Sequence, residues 1–186
     1  MSRRDNYASR KPLRTIQSAS TIRTKIRWLL ALFIFGLVMS GLTAFPLETE
    51  LEILSSILGI DPAVPPSDYS GLQHWISLVA AGIHETYAKY PFMAYGTDWL
   101  AFAHLVIAVV FIGPFRDPVR NSWVITFGII ACLGVIPLAL IAGSIRQIPL
   151  YWRLIDCSFG IFGVLPLWLV RKNIAMLESI EKENGQ

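Results

Sequence analysis

Four long apolar runs constrain the fold of this chain more than any other feature of its sequence. They cover residues 28–46, 97–115, 122–144 and 154–170. An α-helix rises ~1.5 Å per residue, so about 20 apolar residues cross the ~30 Å hydrocarbon core of a bilayer. Because lipid offers no hydrogen bonds to the backbone, each run is expected to be helical. The sequence therefore predicts an all-α integral membrane protein, a bundle of four transmembrane helices.

The composition agrees with this prediction. Of the 186 residues, 54% are hydrophobic and only 16% are charged, whereas soluble domains carry about 25% charged residues. The net charge of +3 is small and the basic residues gather at helix ends, so we expect a lipid bilayer and no nucleic acid as the partner. The first run is 19 residues without a charge, longer than the ~7–15 residues of a signal-peptide core, and is interpreted as a retained anchor.

The distribution of charge predicts the topology. Residues 1–27 contain eight basic residues and one acid, whereas the segment 47–96 contains six acids and one base. Basic residues also follow the second and fourth runs, at 116–120 and at 171–172. Because basic loops remain in the cytoplasm, both termini are predicted inside and 47–96 outside, in a bacterial-type inner (plasma) membrane. The predicted organisation is a basic cytoplasmic segment (1–27), a membrane domain (28–170) and a cytoplasmic tail (171–186).

The outer segment is predicted to contain an amphipathic helix at residues 70–90, after a proline-rich break at 61–66. Its apolar residues recur at helical spacing, which is typical of a helix that lies along the membrane interface. These residues are Leu72, Trp75, Ile76, Val79, Ile83 and Tyr87.

Small residues in the third and fourth runs predict where the helices pack, because close backbone approach drives helix association in lipid. They are Gly128, Ala131, Cys132, Ala139, Gly143, Ser158, Gly160 and Gly163. Pro137 and Pro166 each remove one backbone donor and are expected to bend their helices.

A polar cluster near the outer face is the candidate site, because ionisable groups in a span are costly and are functional hypotheses by default. Its members are His104, Asp156, Arg153, Asp98, Arg146, His84 and Glu85. Three of them also have a purely structural interpretation. Asp98 could cap the second helix, His104 could be a hydrogen-bonded packing residue, and Asp156 could pair with Arg153 three residues before it.

The cofactor is left open. A haem held between helices needs two axial ligands, and only His104 lies within a run. No metal is predicted, although His84 and His104 could converge with an aspartate on a metal such as zinc. The chain contains no H-E-x-x-H, G-x-S-x-G or phosphate-binding glycine motif.

The first functional hypothesis is a non-catalytic accessory or assembly subunit, which binds another membrane protein or a second copy of itself. The alternative is a membrane-embedded enzyme or a redox protein with metal or haem, whose site is the outer polar cluster. The second alternative is a component of a transporter.

Overall fold

A computed structural model describes the backbone of residues 3–183 and the side chains of residues 19–182. The basic side chains before residue 19 and the last three residues of the predicted tail therefore lie outside the described part. Within residues 3–183 the chain forms helices and no strand, which confirms the all-α prediction. The helices are α1 (Arg3–Ala44), α2 (Leu47–Ile57), α3 (Gly71–Lys89), α4 (Tyr95–Val110), α5 (Ile112–Arg116), α6 (Ser122–Ile145) and α7 (Leu150–Glu183), with 3₁₀ turns at Pro66–Asp68 and Pro91–Ala94.

Four helical segments are long and apolar enough to cross a membrane, and each overlaps one of the four runs. They are Ala19–Ala44, Pro91–Arg116, Ser122–Ile145 and Leu150–Lys182. Many of their large apolar side chains point away from the protein, with Trp28 73% and Phe159 69% exposed. Exposed apolar area on this scale is unusual for a monomer in water and suits helices that contact lipid.

Pro46 ends the first apolar run, and one proline lies within each of the other three runs. These three prolines differ in effect. Pro114 lacks the N–H that would bond to the Val110 carbonyl, and helix α4 ends at Val110 before α5 begins at Ile112. In contrast, α6 and α7 are continuous through Pro137 and Pro166. A bend was predicted at these two prolines and not at Pro114.

The helices divide into two compact units, one formed by residues up to Phe35 with those from Val109 onward, and the other by Gly36–Ala108. In the first unit, α6 and α7 share an extensive contact. A Cβ added to Gly160 would lie 2.5 Å from the Cys132 carbonyl oxygen, and one added to Gly163 would lie 2.7 Å from Cys132 Sγ. Small residues therefore form this interface as predicted, although Ala131 is exposed.

In the second unit, α2 and α3 form an antiparallel hairpin. Gly59 follows α2 with φ +67°, and the amide of Ile60 bonds to the Ser55 carbonyl across the helix end, a Schellman C-cap. The side-chain Nε2 of Gln73 then donates to the Leu58 carbonyl at 2.8 Å, and Nδ1 of His74 donates to the Pro66 carbonyl at 2.7 Å. These bonds fix the connection between the two helices.

The predicted helix at 70–90 is present as α3, and it buries Ile76 almost completely, while Leu72 remains 43% exposed. Its position at the outer interface stays a prediction. In the same unit, α1 and α4 approach closely at Gly41, where an added Cβ would lie 2.9 Å from the Ala101 carbonyl oxygen.

Candidate functional site

A cleft between α2 and α3 is the most site-like feature of the second unit. Its volume is about 590 Å³, within the range of roughly 300–1,000 Å³ that is usual for small-molecule sites. Its residues come from both helices and from the connection between them. They are Glu48, Leu51, Glu52, Ser55, Ser56, Ile60, Pro62, Val64, Pro66, Ser77, Ala80, Ala81, Ile83 and His84.

The sequence spacing explains why the polar residues of the cleft share a face. On α2, positions 48, 52 and 55 follow the i, i+4, i+7 pattern that lines one side of a helix. On α3, the polar residues Ser77 and His84 are seven positions apart, with Ala81 between them on the same face. This periodicity is present in the sequence, but such residues at helical spacing do not by themselves predict a cleft.

His84 and Glu48 lie within ion-pair distance of each other at the end of the cleft. Nδ1 of His84 lies 3.3 Å from Oε1 of Glu48, with the side chains 79% and 43% exposed. An exposed pair of this kind contributes about 0–1 kcal/mol to stability. Glu85, a member of the same predicted cluster as His84, is exposed and does not line the cleft. The missing partner was Glu48, 36 residues earlier in the chain.

Ser55 contributes a buried hydroxyl to the cleft. The residue is only 8% exposed, and its Oγ has no hydrogen-bond partner among the described residues. A buried hydroxyl without a partner costs about 1–3 kcal/mol, so a ligand group that bonds to it would recover that free energy. Ser55 was not predicted as a site residue, because nothing in the local sequence distinguishes this buried serine from the adjacent, exposed Ser56.

Helix α4 carries two of the predicted site residues, His104 and Asp98. Nδ1 of His104 donates to the Leu100 carbonyl at 2.8 Å, which is the bond that the packing interpretation of His104 requires. Asp98 lies in the first turn of α4, three residues after its first residue, Tyr95. It is therefore not the cap residue, although its carboxylate still favours the positive end of the helix dipole.

The predicted site residues of the first unit lie near the end of α6 and the start of α7. Nη1 of Arg153 donates to the Leu140 carbonyl at 3.3 Å, and the side chain of Arg153 runs against Gly143. Among the described side chains, ion pairs join only Arg23 to Glu181 and His84 to Glu48. The expected pair of Arg153 with Asp156 is therefore not formed there, because the guanidinium reaches across to α6 instead of along α7.

The remaining residues complete the placement of the predicted cluster. Arg146 is exposed after the end of α6, and Asp156 is half-buried on α7. His84, Glu85, Asp98 and His104 belong to one unit, and Arg146, Arg153 and Asp156 to the other, so the cluster as a whole stays a prediction. Within the part of the chain that the structure describes, no three His, Cys, Asp or Glu residues are grouped as metal ligands.

No protein family, curated protein or solved structure matches the chain.

Proposed function

We propose that this chain is a multi-pass inner-membrane protein that acts as a non-catalytic accessory or assembly subunit. Its proposed role is to bind another membrane protein through helix α1, with both of its own termini in the cytoplasm. The basic N-terminal segment and the acidic segment 47–96 support this topology. The ion pair of Arg23 with Glu181 at 2.6 Å supports it further, because it joins the basic end of α1 to the C-terminal tail.

The observation that carries the accessory role is an unused small-residue face on α1. A Cβ added to Gly36 would meet nothing within 4 Å, and Ser40, one turn later, is exposed. Gly41, on another side of α1, packs closely against α4. In lipid, small residues one turn apart allow the backbones of two helices to approach closely. The face at Gly36 and Ser40 is therefore where a helix of a partner protein is proposed to pack.

A native gel of membranes solubilised in mild detergent tests this proposal. The wild-type chain, expressed at its natural level, is expected in a complex larger than the monomer, and Gly36→Leu is expected to release it. Gly134→Leu is the matched control, because Gly134 also has nothing within 4 Å but stands one turn from the large residues Ile130 and Leu138. Migration of wild type as a monomer, or an equal effect of both variants, would contradict the proposal. If the purified chain alone keeps the larger size, the partner is a second copy.

An enzyme or redox role is the second candidate function. The observation that favours it is the paired His84 and Glu48 beside a cleft of ligand size. The metal content and absorption spectrum of the purified protein separate the two candidates. A stoichiometric metal or a haem spectrum would favour the redox role, and its loss on His84→Ala would assign the centre to the cleft.

A further inference from the structure

The α2–α3 cleft combines an acidic end, apolar walls and a buried hydroxyl. We propose that it binds a small organic cation whose ammonium group lies beside Glu48 and Glu52. The apolar body of the ligand contacts Leu51 and Ile60, and a hydroxyl or carbonyl group at its other end bonds to Ser55. This inference does not depend on the accessory role, which concerns a different helix.

The charge of the cleft selects a cation. Glu48 and Glu52 bring two carboxylates, and the lining includes no lysine or arginine. His84 is the only lining residue that can carry a positive charge, so the cleft is acidic whether or not His84 is protonated. A surface of one sign in a concave site attracts ligands of the opposite sign and repels those of its own. An anionic ligand is therefore disfavoured.

Ser55 supplies evidence for a ligand that is separate from the acidic charge. Its hydroxyl is buried and unpartnered among the described residues, and it lines the same cleft. Ser55 follows Glu52 by three residues and Glu48 by seven, which corresponds to ~4.5 Å and ~10.5 Å along the axis of α2. A ligand that reaches both groups has its ammonium and its second polar group roughly 5–10 Å apart, with an apolar region between them.

The apolar walls fit the middle of such a ligand. Leu51 and Ile60 are each 8% exposed, and Val64 and Ile83 are half-buried. A compound of one ring with an aminoalkyl arm satisfies the charge, the spacing and the volume together. An ammonium on a lipid headgroup has the same charge chemistry and could enter the same cleft.

Calorimetric titration of the full chain in phosphatidylglycerol nanodiscs tests the proposal with tyramine as the probe. Tyramine carries an ammonium and a hydroxyl at opposite ends of one ring. Saturable binding is expected, and Glu52→Gln should weaken it about tenfold, because a hydrogen-bonded charge is lost. Glu85→Gln is the matched control, since it removes the same charge from an exposed position outside the cleft, and it should leave the affinity unchanged.

Two analogues test the ligand end of each contact on the unaltered protein. Tyrosol, which has a hydroxyl in place of the ammonium, should bind wild type about tenfold more weakly than tyramine. Phenethylamine lacks the hydroxyl, so Ser55→Ala should weaken tyramine binding more than phenethylamine binding. Helical circular dichroism and gel filtration confirm that each variant is folded.

Three results would overturn the proposal. They are the absence of saturable tyramine binding to wild type, equal affinities for tyramine and tyrosol, and equal effects of Glu52→Gln and Glu85→Gln.

The source of the cation is found by repeating the titration in nanodiscs with phosphatidylethanolamine. Weaker apparent binding of tyramine there identifies the lipid headgroup as the competing ammonium, and unchanged binding identifies a free amine.

Discussion

Replacement of Gly160 by alanine should push α6 and α7 apart locally and destabilise the chain. The new methyl group would meet backbone atoms, which cannot move aside as a flexible side chain can. The added Cβ would lie 2.5 Å from the Cys132 carbonyl oxygen, whereas ordinary contacts begin at 3.4 Å. The two helices must therefore move apart by 3.4 − 2.5 = 0.9 Å at this point. That movement also loosens the neighbouring contact of Gly163 with Cys132. Overpacking of this kind costs about 1–3 kcal/mol.

Gly134→Ala is the matched control for this variant, since it lies on α6 with no atom within 4 Å of the added Cβ. Both variants gain the helix propensity of alanine, about 1 kcal/mol, so the difference between them isolates the packing cost. Unfolding in mixed micelles by titration with sodium dodecyl sulfate, followed by circular dichroism, gives both free energies. Gly160→Ala should be less stable than Gly134→Ala by about 1–3 kcal/mol. Equal stability of the two variants would refute the close α6–α7 contact.

Two further predictions use the same unfolding assay. Gly143→Leu should destabilise the chain more than Gly36→Leu, because a Cβ at 143 would lie 2.7 Å from Cδ of Arg153 and one at 36 would meet nothing; equal stability would contradict this. Gln147 follows α6 with φ 59°, a conformation that costs most residues about 1–2 kcal/mol, so Gln147→Gly should stabilise the chain by about 1 kcal/mol. Gly59→Gln at the equivalent position after α2 should destabilise it, and an opposite sign for either change would count against the C-cap geometry.

The four apolar helices were predictable because each run is long and little interrupted by charge, so burial in lipid alone decides its structure. The small-residue contacts at Gly160 and Gly163 were predictable for a related reason, since only glycine allows the backbones to approach so closely. The end of α4 at Val110 was not predicted, although Pro114, which cannot donate a hydrogen bond to the Val110 carbonyl, indicates it.

The α2–α3 cleft could not be predicted from the sequence in the same way. Its geometry depends on the register between two helices, which is fixed by the turn at Gly59 and by the bonds of Gln73 and His74 to backbone carbonyls. Local patterns do not reveal that register. The pairing of His84 with Glu48 and the burial of Ser55 both follow from it.

Labelling of single cysteines tests the proposed multi-pass topology most directly. Ser67→Cys and Ser179→Cys each place a thiol at an exposed position, in the outer segment and in the C-terminal tail respectively, in a chain whose Cys132 and Cys157 are replaced by alanine. A membrane-impermeant maleimide applied to spheroplasts should label position 67 at once and position 179 only after the membrane is permeabilised. Labelling of position 67 only after permeabilisation, or of position 179 before it, would contradict the proposed orientation.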